Sequence, residues 1–360
     1  MIRRLYVHNY RCFENFELNL SGLSSALLIG KNGSGKSTVA HALEVLQKIS
    51  RGTNRIGQLV KPLDFGLVGQ SAPMRFELDV EVANHIYRYA LALELPDGFS
   101  ELRVLAEALY VDDAPVFTRN AAQVEVQAAH FQMDWHMLAL PLIQGQPGPD
   151  FKLWLSRLAI LRPIPSLIEG SYEEESLQPS VDATNVGAWL GGILKGAPAA
   201  YAKVYSYLKE LMPDFSEIRV VQTGEGQHQV VLRFQQNGNQ NKSLTFARLS
   251  DGEKCFVISA ALLAAQDAYG PITCFWDEPD THLAIDEVGH FMTALRRSAL
   301  SGGQFICTSH HQEGIRSFSA DNTLVLFRRG HLEPTIVRPL SEVNVNGDLI
   351  GALTRGDLEP

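Results

Sequence analysis

"GKNGSGKST", residues 30–38, decides the fold of this chain, because it fits the pattern G-x-x-x-x-G-K-[ST]. A short apolar run from Ala26 to Ile29 precedes it and predicts a strand. The following "VAHALEVLQKI" has apolar residues at helical spacing and predicts a helix. Strand, glycine-rich loop and helix in this order predict a phosphate-binding loop within an α/β fold.

The residue types of this loop explain how it would hold phosphate. Its glycines accept the backbone angles that turn successive N–H groups inward, and the helix N-terminus adds its positive end. Lys36 is predicted to reach the β- and γ-phosphates, and the Ser37 hydroxyl to ligate Mg²⁺. The alternative interpretation is a glycine-rich turn with an incidental lysine, which the flanking elements disfavour. The nucleotide-binding candidates are Gly30, Lys31, Asn32, Gly33, Ser34, Gly35, Lys36, Ser37 and Thr38.

The composition narrows the class of protein. The chain has 360 residues, 45% of them hydrophobic, which can bury one large core or two smaller ones. A net charge of −9 gives no global field that would attract nucleic acid or an anionic membrane, so any DNA contact would be local. Four separated cysteines without a CxxC pair suit a reducing cytoplasm. The pattern predicts neither a signal peptide nor a membrane span, and we expect a cytoplasmic protein without membrane contact.

Three kinds of pattern follow the loop. Residues 73–127 alternate apolar and polar side chains, which predicts an antiparallel sheet with one face in solvent. Helical patterns occur between residues 150 and 212, around an exposed loop at 169–184. After Ser250, helices alternate with the apolar runs "ITCFW" and "QFICTS", typical of buried parallel strands. We predict a mixed central sheet with an antiparallel β lobe and an inserted helical lobe. The predicted segments are 1–72, 73–245 and 246–360.

Two adjacent carboxylates end the first of these buried strands. Asp277 is predicted to lie on the metal side and Glu278 to be the general base, since successive side chains at a strand end point differently. The alternative is a polar turn, because Asp-Glu-Pro is also a good helix entry. One strand later, His310 and His311 follow "QFICTS", where a neutral imidazole could bind the γ-phosphate or the attacking water. A histidine at a strand end is otherwise a surface or capping residue.

"RLSDGEKCF", residues 248–256, precedes another apolar helix. Ser250 and Glu253 stand three residues apart and meet the capping-box rule, in which each side chain accepts a hydrogen bond from the other's backbone N–H. A cap accounts for the local geometry by itself. It does not account for the order of the motifs, in which this stretch lies between the glycine loop and the Asp-Glu strand.

This order resembles that of ATP-binding-cassette ATPases, in which a Walker A loop and an inserted lobe precede an LSGGQ-like signature, a Walker B strand, a D-loop and a switch histidine. Here "LSDGEK" would be the signature, "CFWDE" the Walker B strand, Pro279–His282 the D-loop and His310 the switch residue. The chain further resembles the RecF and structural-maintenance-of-chromosomes (SMC) branch, especially short AAA_21-type ATPases related to the heads of OLD-like and other anti-phage proteins. The resemblance rests on "IRRLYVHNYRCFENFEL", "LLIGKNGSGKST", "DATNVGAWL", "LSDGEK", "DEPDTHL" and "CTSHH".

The sequence departs from the family pattern at the signature and the D-loop. The second signature glycine is Asp251 and the usual glutamine is Glu253, substitutions that argue against a transporter more than against activity. Where the family has Leu-His-Pro after the Walker B acids, this chain has "LAI" at residues 283–285. This difference weakens the support for the D-loop assignment.

Other sites implied by the resemblance are assigned by position. Gln70 fits the position of the metal-binding Q-loop glutamine, and Gln58 is the alternative. The simpler interpretation of either residue is a solvated amide in a loop. Arg11 resembles the N-terminal basic residue near the nucleotide. "TSH" matches the family's "TTH", which favours His310 over His311 as the switch residue.

The resemblance also implies a mechanism. Two heads would stack head to tail, each ATP lying between the Walker A loop of one copy and the signature helix of the other. The γ-phosphate would be bound in trans by Ser250 and by the backbone N–H groups at the start of that helix, at Asp251, Gly252 and Glu253. The implied cofactors are ATP and Mg²⁺, and the implied partner is a second copy, in a homodimer or a higher even oligomer.

The biological role has three alternatives. The first is a DNA-associated ATPase of repair or anti-phage defence that acts with a separately encoded effector or nuclease. The second is an ATP-regulated scaffold that restrains or delivers an effector without binding DNA. The third, a transporter subunit, is disfavoured by the long inserted lobe and the altered signature. The net negative charge of the chain is compatible with the scaffold alternative. Three pairs of arginines could contact DNA or simply face solvent. The pairs are Arg3-Arg4, Arg296-Arg297 and Arg328-Arg329.

Overall fold

The computed structural model of the chain describes residues 1–145, 147–236 and 240–343. It divides into two compact units, one formed by Met1–Leu158 with Ala320–Pro360 and the other by Ala159–Ser319. Among the described residues, no helix is long and apolar enough to cross a bilayer. The predicted three-segment division stays a prediction, and residues 344–360 of its last segment lie outside the described part.

The elements mix helices with parallel and antiparallel strands. The strands are β1 (Ile2–His8), β2 (Phe16–Asn19), β3 (Ser25–Ile29), β4 (Met74–Val82), β5 (His85–Glu94), β6 (Arg103–Val111), β7 (Ala114–Asn120), β8 (Gln123–Val126), β9 (Ala129–Gln132), β10 (Ala159–Leu161), β11 (Ser171–Tyr172), β12 (Phe215–Gly224), β13 (Gln227–Gln236), β14 (Gln240–Thr245), β15 (Thr273–Trp276), β16 (Gln304–Thr308), β17 (Thr323–Phe327) and β18 (Ile336–Pro339). The helices are α1 (Lys36–Ser50), α2 (Gly148–Ser156), α3 (Val186–Gly196), α4 (Ala200–Leu211), α5 (Asp251–Tyr269), α6 (Ile285–Ala299) and α7 (Gln312–Arg316).

The first unit contains an antiparallel sheet in the order β2-β1-β4-β5-β6-β7-β8-β9. The period-two pattern predicted strands β4 to β8, and they are present, with one face buried and the other open. The N-terminal strand β1 pairs with β4, placing Leu5 opposite Leu78. The antiparallel sheet therefore takes strands from both sides of the predicted boundary at residue 72.

The first unit also contains the strands that carry the glycine loop. All five residues of β3 are buried, and β3 runs parallel to β17, with Leu28 opposite Leu324. Strand β18 returns antiparallel to β17. Helix α1 follows the loop and buries its apolar face, which includes Val39, Leu43 and Leu46.

The second unit contains the parallel strands β10, β15 and β16. Their register places Leu161, Trp276 and Cys307 side by side, so the three strands end at one edge. Helix α5 is buried along most of its length and packs against α3 and α4. A second sheet pairs β13 with β11, β12 and β14.

The segment 169–184 carries exposed acidic residues, as its composition predicts, and its C-terminal part is held by a compact set of hydrogen bonds. Oδ1 of Asp182 accepts from the hydroxyls of Ser180 and Thr184, at 2.7 and 2.8 Å. These contacts lower the pKa of Asp182 against the opposing effect of its burial. The backbone N–H of Thr184 also donates to Asp182 Oδ1, at 3.1 Å. An aspartate side chain that accepts from the backbone N–H two residues later commonly stabilises a turn.

Candidate nucleotide-binding site

The glycine loop in the first unit has the strained backbone that phosphate binding requires. Gly30, Gly33 and Gly35 have φ of +154°, +79° and +103°. A Cβ at residue 30 would collide with the carbonyl oxygen of Leu326 and approach Ser34 Oγ to 2.7 Å. At residue 35 it would lie 2.8 Å from the ring of Phe13. These positions need glycine for both conformation and space.

Lys36 closes the loop from inside. The residue is only 6% exposed, and Nζ donates to the carbonyls of Gly30 at 2.8 Å and Lys31 at 3.2 Å. Helix α1 begins at this residue, and the hydroxyl-bearing Ser37 lies in its first turn. An ammonium group and a helix N-terminus thus converge on one small loop, an arrangement suited to an anion.

Arg11 lies on the N-terminal side of this loop and is engaged within the chain. Its φ is +53°, Nε donates to Asp64 Oδ1 at 3.0 Å, and the guanidinium lies 5.2 Å from the ring of Tyr10. The next residue, Cys12, has its Sγ 3.0 Å from the position a Cβ on residue 35 would take. Arg11 is therefore attached to a segment that packs on the loop, and its role toward a nucleotide stays a prediction.

Both Q-loop candidates lie on short turns of the first unit, and both are exposed. Gln70 lies on the turn Gly69–Ser71, which Asn9 supports by donating through Nδ2 to the carbonyls of Gly69 and Ala72, each at 2.7 Å. Gln58 ends the turn Ile56–Gln58. The assignment of Gln70 remains a prediction from position.

In the second unit, the two acids after β15 are tied to the end of β16. The hydroxyl of Thr308 donates to Asp277 Oδ1 at 2.7 Å and accepts from the backbone N–H of Glu278 at 2.8 Å. The N–H of Asp277 donates to the carbonyl of Leu161 on β10 at 2.8 Å. Both acids are thereby fixed to neighbouring parallel strands.

Glu278 adopts a strained conformation and contacts His310. Its φ is +53°, an uncommon value for a residue other than glycine. Oε1 lies 3.4 Å from Nε2 of His310, and Oε2 accepts from the hydroxyl of Thr281 at 3.2 Å. Such strain persists where surrounding contacts impose it, and it is concentrated at functional sites. The structure brings the predicted base and the predicted switch histidine together.

His311 has a different role from its neighbour. It is the N-cap of α7, and its Nδ1 accepts from the N–H of Glu313 at 3.3 Å. Its own N–H donates to Ser309 Oγ at 2.9 Å. Of the two histidines, His310 is the one with a contact to Glu278.

The predicted capping box is confirmed at the start of α5. Ser250 Oγ accepts from the N–H of Glu253 at 3.3 Å, and the N–H of Ser250 donates to Glu253 Oε2 at 2.7 Å. A Cβ at Gly252 would lie 2.9 Å from the carbonyl oxygen of His282, and His282 Nδ1 lies 3.8 Å from Asp251 Oδ2. The predicted signature therefore packs against the predicted D-loop, whose close approach requires a glycine at residue 252.

Comparisons with known proteins agree with this architecture. A family model described as an AAA ATPase domain, AAA_15, matches residues 1–99, and no curated protein matches the chain. An Smc head bound to the C-winged helix domain of ScpA has 13% identity and a TM-score of 0.62, over 95% of this chain and 99% of that chain.

Two further Smc heads have similar folds. The SMC head domain from Thermotoga maritima has 16% identity and a TM-score of 0.50, over 94% of this chain and 98% of that chain. An Smc head with an extended coiled coil, bound to the C-terminal domain of ScpA derived from Pyrococcus furiosus, has 13% identity and a TM-score of 0.54, over 95% and 97%.

The chain has the fold of an SMC-type P-loop ATPase head. This confirms the predicted fold class. The finer resemblance to AAA_21-type and OLD-like proteins stays a prediction.

The site contains two groups that sequence reasoning missed. One is Thr308, a polar residue at the end of an otherwise apolar strand, which is the signal that could have revealed it. The other is Asp280, 1% exposed, whose Oδ2 accepts from Ser309 Oγ at 2.5 Å. Burial raises the pKa of Asp280, and the hydrogen bond from Ser309 partly opposes this.

Proposed function

We propose that this chain binds and hydrolyses ATP with Mg²⁺, and that two copies associate around two nucleotides. The observation that carries the proposal is the geometry of the glycine loop, in which the ammonium of Lys36 and the start of α1 converge. The match of residues 1–99 to an AAA ATPase domain supports the same chemistry.

Within this proposal, each residue has a defined task. Lys36 and the loop N–H groups hold the β- and γ-phosphates. The hydroxyl of Ser37 and a carboxylate oxygen of Asp277 suit Mg²⁺, which prefers oxygen ligands, and the assignment of Gln70 as a further ligand rests on position alone. Bound Mg²⁺ would offset phosphate charge.

Glu278 is proposed to accept the proton of the attacking water, and His310 to orient this carboxylate. The 3.4 Å approach between His310 Nε2 and Glu278 Oε1 supports the second role. The uncommon backbone angle of Glu278 supports the first, since strained backbone conformations are concentrated at functional sites.

Dimerisation is proposed to use the start of α5. Ser250 and Asp251 are exposed there, at the positive end of a 19-residue helix. A phosphate of a nucleotide bound to a second copy would meet this end, as the resemblance to ATP-binding-cassette ATPases implies. The output would be a change of assembly state, since binding joins two copies and hydrolysis releases them.

The partner and the setting are part of the same proposal. Two of the similar Smc heads are bound to ScpA, which supports a separately encoded protein partner for this chain. The SMC-type fold favours a DNA-associated ATPase in repair or anti-phage defence, with an effector or nuclease as that partner. Four buried free thiols suit a reducing cytoplasm.

A second candidate, a scaffold that does not bind DNA, is favoured by the contacts of the arginine pairs. Arg4 is paired with Glu17 and Glu77, at 2.7 and 2.9 Å. Arg296 lies over the ring of Phe318. One member of each of these pairs is thus engaged within the chain, which reduces the cationic surface that a DNA backbone would meet.

Three measurements test these proposals. Phosphate release by the purified chain with Mg²⁺ and ATP should be lost in Glu278→Gln, and light scattering should show dimer accumulation in that variant. Undiminished turnover in Glu278→Gln would contradict the base assignment. Duplex DNA binding that requires ATP and weakens steeply with salt would favour the DNA-associated role, whereas ATP-dependent assembly without DNA binding would favour the scaffold.

A further inference from the structure

We propose that Arg328 and Thr335, on the connection between β17 and β18, are positioning residues that set the affinity of the glycine loop for nucleotide phosphates. This inference rests on the proposed ATP binding. Both residues lie outside residues 1–99, where the family model matches, and about 300 residues from the loop in sequence.

The connection donates side-chain hydrogen bonds to two consecutive carbonyls of the loop. Arg328 Nη1 donates to the carbonyl of Gly33 at 3.2 Å, and Thr335 Oγ1 donates to that of Ser34 at 2.9 Å. The other guanidinium nitrogens of Arg328 donate to the carbonyls of His331 at 2.7 Å and Glu333 at 3.0 Å. Arg328 therefore joins its own connection to the loop.

These contacts fix the direction of the loop N–H groups. In a planar trans peptide, C=O and N–H point in opposite directions. Holding the carbonyl of Ser34 from outside directs the N–H of Gly35 away from Thr335. Holding the carbonyl of Gly33 fixes the peptide group that joins Gly33 to Ser34, whose N–H donates to the carbonyl of Lys31 at 3.1 Å and closes the turn of the loop. Inward N–H groups are what such a loop offers to phosphate oxygens.

External support matters here because the loop is rich in glycine. Glycine has the largest conformational freedom of any residue, so an unsupported loop would lose more entropy on binding. Ordering the peptides beforehand increases affinity without adding any contact to the nucleotide. Thr335 is 1% exposed, so water does not compete for its hydroxyl.

The backbone of the connection has anchors that do not involve these two side chains. The N–H of Thr335 donates to the carbonyl of Cys12 at 3.0 Å. Strand β17 pairs with β3 on one side and β18 on the other. Removing the hydroxyl of Thr335 should therefore leave the fold intact and change the loop alone. Removing the guanidinium of Arg328 also frees the carbonyls of His331 and Glu333, while the strand pairing of the connection remains.

The test is a calorimetric titration of the full chain with ATP in the presence of Mg²⁺. Thr335→Val keeps the shape and removes the donor, and we expect Kd to rise about five-fold, the effect of one neutral hydrogen bond. Thr335→Ser restores the hydroxyl and should bind within about two-fold of wild type. Arg328→Ala should weaken binding by a similar factor, whereas Arg329→Ala, the same charge change one residue away, should not.

Turnover at saturating ATP separates positioning from general damage. We expect kcat to change less than about two-fold in Thr335→Val and Arg328→Ala, while KM follows Kd. Wild-type affinity in both variants would overturn the inference and leave the proposed function standing. Absence of ATP binding by the wild-type chain would overturn the proposed function itself. If Thr335→Val fails to fold, the comparison of Arg328→Ala with Arg329→Ala decides the matter.

Discussion

The hydroxyl of Thr308 donates to the carboxylate of Asp277 across 2.7 Å, joining the ends of two parallel strands. The same oxygen accepts from the backbone N–H of Glu278, so one side chain orients both predicted Walker B acids. Because Thr308 is fully buried, its hydroxyl has no water to replace these partners.

We expect Thr308→Val to lower kcat about ten-fold while ATP binding stays within about two-fold of wild type. Valine has nearly the shape of threonine but cannot donate to the carboxylate, and a hydrogen bond to a charged group contributes about 1.5 kcal/mol. Phosphate release under saturating ATP measures the effect. Thr308→Ser keeps the hydroxyl and is the matched control. Equal turnover in the valine variant would show that the bridge does not orient the acids.

We expect Lys36→Ala to abolish detectable ATP binding. The buried ammonium donates to two carbonyls of its own loop, and alanine would remove both the charge and these contacts. Calorimetric titration with Mg²⁺ and ATP measures the loss. Lys48→Ala, an exposed residue farther along α1, is the control for a change of charge. Retained affinity in Lys36→Ala would contradict the phosphate-binding role of the loop.

We expect Ser250→Arg to bind ATP as a monomer and to fail to dimerise with ATP. The substitution removes the cap of α5 and places a long cation at its exposed start, where the phosphate of the second copy is proposed to lie. Light scattering with Glu278→Gln as the background measures assembly. Ser250→Thr retains a capping hydroxyl and should dimerise. Unchanged assembly in a folded Ser250→Arg variant would refute the trans contact.

We expect Asp280→Asn to stabilise the chain at pH 8, with an advantage that shrinks as the pH falls toward 4. Burial raises the pKa of Asp280, so the folded state binds the proton more tightly than the unfolded state. Above the ordinary pKa of an aspartate, ionising this group therefore costs stability, and asparagine removes the cost while still accepting from Ser309. Urea unfolding at several pH values measures the difference. An advantage independent of pH would contradict this account.

We expect Glu107→Ala to lower the free energy of unfolding by about 3 kcal/mol, because Glu107 and Arg119 form a buried ion pair at 3.8 Å and alanine would leave the guanidinium without this carboxylate. The Glu107 carboxylate accepts from the hydroxyl of Tyr89 at 2.9 Å and from the N–H groups of Ala139 and Leu140. Burial raises the pKa of Glu107 because it disfavours the charged carboxylate, and the hydrogen bonds from these three partners partly offset this cost. Urea unfolding measures the loss, with the exposed Glu125→Ala as control. An equal, small loss in both variants would show that the network contributes little.

The sequence predicted the features whose information is local. A glycine-rich loop between an apolar strand and a helix occurs in few folds. The structure has this loop between β3 and α1, as the pattern predicts. Ser250 and Glu253 are three residues apart, so the rule for a capping box needs no tertiary contact. The alternation of residues 73–127 likewise encodes its own strands.

Tertiary structure decided the contacts that depend on strand register. The bridge from Thr308 to Asp277 joins residues 31 positions apart, and the bond from Thr335 to Ser34 joins residues 301 apart. Periodicity shows which face of a strand is buried, but not which residue of the neighbouring strand lies opposite. The position of His310 beside Glu278 also depended on tertiary structure. The side chains of His310 and His311 diverge because the residues are adjacent. The path of the backbone between β16 and α7 therefore determines which of the two contacts the carboxylate.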